Sequence, residues 1–245
     1  MHILVAGGTS VIAQHWLRRA LNNEQHDVSL IGRDISALEE IKSDLAVRSP
    51  ASKVELYCLN FLDTVSVTDL LTTITSKKSV DVALVAFGTM PQQSQVQEDL
   101  ALCHESMQIN SISACIFCEA LSAHMVQTGG RLGVISSVAG DRGRKSNYVY
   151  GSAKSMVSTY AEGLQHRFAN SPLAITLIKP GPVLTPMTSE LRPLPLGIVS
   201  PDIVARDIER AFAKGTRVVF TPSRWRWIML VIRLIPFHVF KRLNI

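Results

Sequence analysis

The sequence has few cysteines and no long uninterrupted run of apolar residues. Four cysteines in 245 residues do not form the disulfide framework of a small secreted domain. No uncharged apolar stretch reaches the roughly 18 residues that a membrane-spanning helix needs. The chain opens with a short apolar segment that runs straight into glycines, unlike a secretory signal. We therefore expect a reduced, cytoplasmic protein.

Two of the cysteines, Cys115 and Cys118, form a C-x-x-C pair. A redox or metal-binding pair of this kind needs an electropositive helix start or a second pair of ligands, and the sequence shows neither. We interpret both residues as buried helix cysteines and expect no metal site.

Acidic residues are missing from the last 22 residues, although five basic residues lie there. These are Arg224, Arg226, Arg233, Lys241 and Arg242. Because the net charge of the whole chain is +5, the remainder is formally neutral. A neutral body does not offer the basic surface that nucleic acids require, so we expect no nucleic-acid partner.

Seven short apolar runs, rich in Val, Ile and Leu, are spread along the chain. They are residues 3–6, 28–31, 54–57, 82–86, 132–135, 174–178 and 218–220. Runs without polar alternation are typical of strands buried on both faces, and the stretches between them have helical periodicity. This alternation predicts an α/β fold: one domain over residues 1–221, with a doubly wound, seven-stranded parallel sheet and helices on both faces. A basic, apolar tail follows over residues 222–245.

A glycine-rich turn follows the first apolar run. Residues 7–10 read Gly-Gly-Thr-Ser and lead into a helical pattern. Small residues let the backbone approach a ligand, and a helix start offers free N–H groups to a pyrophosphate. Many tight turns between a strand and a helix also contain glycine for structural reasons alone. The position after the first strand favours a nucleotide site.

The second run ends at Gly32 and Arg33. In dinucleotide-binding folds an acid at this strand end binds the ribose 2′-hydroxyl, whereas an arginine accommodates a 2′-phosphate. Arg33 therefore favours NADP(H). Asp34 leaves two alternatives open, because it could pair with Arg33 or bind the ribose itself, and NAD(H) remains possible.

Tyr150 and Lys154 are four residues apart at the start of a helical pattern, which places them on one helix face. A nearby ammonium group is expected to lower the pKa of a phenol, which could then exchange a proton with a substrate. Ser137 follows the fifth strand and could hold the reacting oxygen. Tyr148 is a weaker candidate because Ser152, four residues on, carries no charge. An accidental Tyr–Lys pair on a solvated helix face is the alternative.

Taken together, these motifs resemble those of the short-chain dehydrogenases/reductases. The matching order is the glycine turn, Asn110 on a middle helix, Ser137, the Tyr150-x-x-x-Lys154 pair, and a Pro-Gly-Pro-Val-Leu-Thr segment over residues 180–185. The resemblance covers roughly residues 2–220 and implies a Rossmann fold. It also implies a homodimer or homotetramer that pairs through the long helices carrying Asn110 and Tyr150.

The resemblance implies a role for each matching residue. Tyr150 would be the general acid/base, Lys154 would lower its pKa and bind the nicotinamide ribose, and Ser137 would orient the reacting oxygen. Asn110 would hold a water that links Lys154 to solvent. The residues expected to bind the cofactor are Gly7, Thr9, Ser10, Ile12, Arg33, Asn60, Phe87, Gly88, Tyr150, Lys154, Pro180, Gly181, Val183 and Thr185.

Several positions depart from the family pattern. The family turn T-G-x-x-x-G-x-G is changed at Ala6, Val11 and Ala13, and Val11 adds bulk where the backbone usually crowds the pyrophosphate. Asn60 replaces an acid that often binds the adenine amine, and Phe87-Gly88 stands in the place of an N-N-A-G run.

The tail combines Trp225 and Trp227 with cations and a short apolar stretch that is interrupted at Pro236. This composition is typical of a membrane interface, although packing on the domain or on a partner subunit is the alternative. The turn, Phe87-Gly88 and the tail loosely resemble the decaprenylphosphoryl-2-keto-pentose reductase-like subgroup, which implies a lipid-linked sugar ketone as substrate.

Our leading hypothesis is an NADP(H)-preferring oxidoreductase that acts on a carbonyl/alcohol pair. A non-catalytic, dinucleotide-binding regulatory or scaffold protein is a second hypothesis, favoured by Val11 and Ala13. A third is a reductase of small soluble molecules whose tail mediates oligomerisation only.

Overall fold

A computed structural model describes residues 1–21, 24–189 and 197–243. Its centre is a seven-stranded parallel sheet in the order β3-β2-β1-β4-β5-β6-β7. The strands are β1 (His2–Ala6), β2 (Asp27–Gly32), β3 (Lys53–Cys58), β4 (Val82–Val85), β5 (Gly130–Ile135), β6 (Leu173–Pro180) and β7 (Val218–Thr221). The predicted doubly wound sheet is confirmed, and each apolar run coincides with one strand to within a few residues.

Helices connect the strands. They are α1 (Val11–Leu21), α2 (Ile35–Arg48), α3 (Thr64–Lys77), α4 (Gln93–Glu98), α5 (Leu100–Met107), α6 (Ser113–Met125), α7 (Tyr148–Arg167), α8 (Pro186–Ser189), α9 (Pro201–Lys214), α10 (Trp225–Leu234) and α11 (Phe237–Phe240). A π-helical turn (Gln108–Ile112) joins α5 to α6, and a 3₁₀ turn (Val138–Asp141) follows β5.

Side chains of β1 alternate between two hydrophobic cores. Ile3 and Val5 pack with α1, α2 and α9 on one face, whereas Leu4 and Ala6 pack with α3, α6 and α7 on the other. Both faces of the sheet are thus covered, which explains why its strands read as continuous apolar runs. Because the strands are parallel, their carboxyl ends all meet at one edge.

Cys115 and Cys118 are free thiols buried in α6. Burial raises the pKa of Cys115 to about 11, so this thiol stays protonated at neutral pH. Within the described ranges, no group of His, Cys, Asp and Glu side chains could hold a metal ion. Within the same ranges, no helix is both long and apolar enough to cross a bilayer.

The tail forms two short helices that are separated at Pro236, as the proline predicts. α10 buries Trp225 and Met229 against Val138, so the tail packs on the domain along one face. Residues 244–245 of the predicted tail lie outside the described part of the chain.

Candidate active site

The glycine turn after β1 is shaped by backbone crowding. Gly7 has φ +90°, and a Cβ built there would lie 2.5 Å from the backbone nitrogen of Phe87. Only glycine fits such a conformation at such a contact. The N–H groups of Gly7 and Gly8 both donate to the Ile31 carbonyl at 2.9 Å, which fixes the turn against β2.

The first turn of α1, directly after this glycine turn, has free backbone donors. Ser10 N–H donates to the Gly7 carbonyl at 2.9 Å, and Ala13 N–H approaches the Ser10 hydroxyl at 3.4 Å. The N–H groups of Val11 and Ile12 have no acceptor among the described residues. Thr9 is exposed beside them. Unpaired N–H groups at a helix start suit a pyrophosphate, so this turn can hold a dinucleotide.

Arg33 and Asp34 follow β2 at the same edge. Asp34 caps α2 by accepting from Ala37 N–H at 3.1 Å, and within the described ranges it makes no ion pair with Arg33. The exposed Arg33 side chain is therefore available to an anion. Of the alternatives that the sequence left open, pairing of Asp34 with Arg33 does not occur here.

Asn60 follows β3 and Phe87 follows β4, two strands that β2 and β1 separate in the sheet. Asn60 is exposed, and its side-chain oxygen accepts from Leu62 N–H at 3.1 Å. Phe87 stacks on Phe61 with ring centroids 4.0 Å apart, so its ring is fixed beside Gly7. The structure thus places both residues along the edge that begins at the glycine turn.

Asn110 lies at the centre of the π-helical turn and is fully buried. Its amide nitrogen donates to the Thr89 carbonyl at 2.7 Å and to the Ser106 carbonyl at 2.8 Å, while its oxygen accepts from Thr89 N–H at 3.0 Å. A Cβ at Gly88 would lie 2.7 Å from the Asn110 oxygen and 3.6 Å from Lys154 Nζ. The side chains of Asn110 and Lys154 therefore both approach Gly88.

Tyr150 and Lys154 share the first turns of α7, with the Lys154 ammonium 5.8 Å from the Tyr150 ring centroid. Lys154 is buried, and its Nζ donates to the Ile135 carbonyl at 3.2 Å. Burial lowers the pKa of Lys154 to about 8, because desolvation disfavours the charged form. The structure therefore brings Asn110, Tyr150 and Lys154 together around the end of β5.

The expected lowering of the Tyr150 pKa was wrong. Burial raises it to about 12, and the Ser137 hydroxyl opposes that rise only in part. The ammonium group is held by the Ile135 carbonyl rather than by the phenol oxygen, so desolvation outweighs its influence. At neutral pH the phenol is protonated and can donate.

Ser136 and Ser137 have separate roles in the structure. The Ser136 hydroxyl is buried and donates to the Lys154 carbonyl at 2.8 Å, which ties β5 to α7. The Ser137 hydroxyl begins the 3₁₀ turn by accepting from Ala139 N–H at 3.1 Å, and it interacts with the Tyr150 phenol. Of the two serines, Ser137 is the one beside the phenol.

Residues 180–185, at the end of β6, lie at the same edge of the sheet. Pro180 ends β6, and Gly181 N–H donates to the Thr221 carbonyl at 3.0 Å. Val183 is buried, and Thr185 N–H donates to the Thr188 hydroxyl at 3.2 Å. All four expected residues thus lie at or just after the carboxyl end of β6, the strand next to β5.

Three contacts around the site were not predicted. Gln93 accepts from Val149 N–H at 3.2 Å and so caps α7 in place of Asn147, whose side chain makes no cap. Asp141 and Lys179 form a buried ion pair at 2.5 Å between the 3₁₀ turn and β6. These partners are distant in sequence, so no local pattern could have revealed the contacts.

Trp225 is the third unpredicted contact. Its indole nitrogen would lie 1.9 Å from a Cβ at Gly181 and has no hydrogen-bond partner in the described ranges. The sequence marks Trp225 as aromatic but gives no sign that it contacts the segment after β6.

Comparison with known proteins supports a family assignment. The family model described as short chain dehydrogenase matches residues 1–195. The chain belongs to the short-chain dehydrogenase family. An uncharacterized oxidoreductase of Streptomyces coelicolor is 29% identical over 248 residues, which cover 98% of this chain and 95% of that protein. An uncharacterized oxidoreductase of Mycobacterium tuberculosis is 34% identical over 165 residues, which cover 67% of this chain and 66% of that protein.

Solved structures of the family share the fold. A short-chain dehydrogenase from Sphingobium yanoikuyae, in complex with NADPH, superimposes with a TM-score of 0.81 at 17% identity. The match covers 99% of this chain and 96% of the other. It includes the tail as well as the sheet.

Proposed function

We propose that this short-chain dehydrogenase is an NAD(P)H-dependent oxidoreductase that transfers a hydride between nicotinamide and a carbonyl/alcohol substrate. The observation that carries the proposal is the meeting of Asn110, Ser137, Tyr150 and Lys154 at the sheet edge that also carries the glycine turn. An accidental Tyr–Lys pair on a solvated helix face would not be buried beside the side chains of Asn110 and Ser137.

The proposed chemistry divides between cofactor and protein. A bound nicotinamide supplies or accepts the hydride. In the direction of reduction, Tyr150 donates its proton to the substrate oxygen while Ser137 holds that oxygen. Lys154 binds the nicotinamide ribose and supports the phenolate as the proton leaves. Asn110 positions a water that connects Lys154 with solvent.

The cofactor would lie along the edge from α1 to β6. The residues proposed to hold it fall into three groups. The glycine-turn group is Gly7, Thr9, Ser10 and Ile12; the adenosine group is Arg33, Asn60, Phe87 and Gly88; the nicotinamide group is Tyr150, Lys154, Pro180, Gly181, Val183 and Thr185. The free N–H groups of the first turn of α1 support the placement of the pyrophosphate there.

NADP(H) is the preferred cofactor in this proposal, because Arg33 is exposed and Asp34 is engaged as a helix cap. A guanidinium group forms strong paired hydrogen bonds with a phosphate. We expect Arg33→Ala to weaken NADPH binding about 10- to 150-fold and to leave NADH binding nearly unchanged, since a charged hydrogen bond contributes about 1.5–3 kcal/mol. Titration followed by nucleotide fluorescence measures both affinities.

Lys214→Ala, an exposed cation at the end of α9, is the matched control and should alter neither affinity. Equal losses for both nucleotides in Arg33→Ala would refute the preference. Absence of saturable binding of either nucleotide by the parent would refute the proposed oxidoreductase activity itself. A screen of ketones and alcohols with both cofactors then identifies the substrate class.

Three finer points belong to the same proposal. The substrate is a lipid-linked ketone, such as a sugar carried on a polyprenyl phosphate. The protein is a homodimer or homotetramer, for which a groove along α6 and α7, lined by Glu119, Ser152, Met156 and Arg167, offers a surface. The third is contact of the tail with a membrane surface.

A further inference from the structure

The tail helix α10 has two apolar stripes, of which the domain covers only one. The inner stripe is Trp225, Met229 and Ile232, which pack on Val138. The outer stripe is Trp227, Leu230, Val231 and Leu234, at helical spacings of three and four. Trp227 is 65% exposed, Val231 62% and Leu234 73%, and Phe237 continues the same exposure beyond Pro236. An exposed apolar patch of this kind marks a docking surface.

Charge identifies what covers the outer stripe. Glu209 is the last acidic residue of the sequence, so α10, α11 and the residues after α11 include basic side chains and no acidic ones. Arg226, Arg233, Lys241 and Arg242 are all exposed around the stripe. A symmetric pair of these surfaces would bring the same cations of two copies together and repel. An anionic lipid surface attracts them, and Trp227 is of the residue type that prefers the headgroup region.

The outer stripe is fixed to the domain beside the catalytic residues. Arg142 donates to the Ile232 carbonyl and stacks on the Phe240 ring at 3.7 Å. Arg224 donates to the Gly197 carbonyl at 2.9 Å. On its inner side the helix contacts Val138, the residue after Ser137, and Trp225 lies against Gly181. The helix therefore contacts both the segment after β5 and the segment after β6, which flank the proposed substrate site.

We propose that the outer stripe docks on an anionic bilayer and thereby places the substrate entrance at the lipid surface. The class of substrate that this arrangement serves is a carbonyl compound with a long apolar chain that stays in the bilayer. The docking step is independent of catalysis, whereas the delivery step rests on the proposed function.

Flotation of the full-length protein tests the docking step. The probe variant replaces three outer residues with a polar helix former: Trp227→Gln, Val231→Gln and Leu234→Gln. The matched control makes the same change at equally exposed apolar positions on other helices: Val47→Gln, Val65→Gln and Leu100→Gln, which are 85%, 67% and 79% exposed. Vesicles are phosphatidylglycerol with phosphatidylcholine in equal parts, or phosphatidylcholine alone.

We expect the parent and the control variant to float with the anionic vesicles and the probe variant to lose at least about tenfold in affinity, because it removes buried apolar area. Affinity should also fall with added salt and on phosphatidylcholine alone. Equal flotation of probe and control variants would overturn the proposal. So would self-association of the parent that the probe variant abolishes without any flotation, since a second copy would then cover the stripe.

Kinetics test the delivery step and separate it from the proposed function. With a long-chain ketone held in anionic vesicles, the probe variant should lose about tenfold in kcat/KM relative to the control variant. With a short, water-soluble ketone both variants should match the parent, because the outer stripe does not touch the catalytic residues. Flotation without activity on any ketone would contradict the proposed function and leave docking intact. Equal loss on both ketones would contradict delivery from the bilayer.

Discussion

The catalytic edge and the tail depart from the usual distribution of residues in opposite directions. At the catalytic edge, the polar side chains of Asn110, Ser136 and Lys154 are buried, and each has hydrogen-bond partners. In the tail, apolar side chains such as Trp227 and Leu234 face solvent without cover. A cluster of buried polar side chains and a contiguous exposed apolar patch are both unusual in a folded protein, so each indicates a place where the chain binds a ligand.

The two regions suit different kinds of partner. The buried polar groups are already satisfied, so they hold a fixed geometry for a small molecule. The outer stripe of the tail is exposed and extends along the whole helix, so it suits an extended apolar surface. Trp225 connects the two regions, because it lies between Gly181 and Val138.

The largest expected effect comes from the catalytic edge. Tyr150→Phe removes the proton donor, so we expect turnover to fall about 10²- to 10⁴-fold while nucleotide binding is retained. Steady-state kinetics and fluorescence titration measure the two quantities. Tyr148→Phe, on an exposed tyrosine of the same helix, is the control and should stay close to the parent. Turnover of Tyr150→Phe within a few-fold of the parent would mean that another group donates the proton.

A smaller effect tests the connection between the regions. Gly181→Ala puts a methyl group at the position 1.9 Å from the Trp225 indole nitrogen, so α10 must shift. We expect a loss of about 1–3 kcal/mol in the free energy of unfolding, measured with urea. Gly163→Ala is the control, because nothing lies within 4 Å of its Cβ. That helix substitution should stabilise by up to about 1 kcal/mol. Similar values for the two variants would show that the tail is not packed on Gly181.

The smallest effect concerns the pH dependence of the catalytic edge. Burial lowers the pKa of Lys154 to about 8, so the ammonium group loses its proton as the pH rises through that value. We expect kcat/KM to be about half of its plateau at pH 8 and to fall further above it, because the charge that holds the ribose is lost. Lys154→Arg should move this limb to higher pH, since a guanidinium group stays protonated. An unchanged limb would assign it to a different group.

Local sequence patterns were enough to predict most of the fold. Residues 3–6 and 82–86 are apolar throughout because both faces of the sheet are covered, so a few residues are enough to indicate a buried strand. Gly7 and Arg33 could be placed because the chain order of a parallel sheet carries strand ends to one edge. The four-residue spacing of Tyr150 and Lys154 follows from helix geometry alone.

By itself the sequence determined which elements form and which polar residues reach the carboxyl edge of the sheet, because both depend on short-range periodicity and chain order. The remaining features depend on how distant segments of the chain pack together. Burial, which depends on many distant residues, reversed the expected direction of the Tyr150 pKa. The ion pair of Asp141 with Lys179 and the contact of Trp225 with Gly181 join segments about 40 residues apart. Such contacts follow from packing, which no local pattern records.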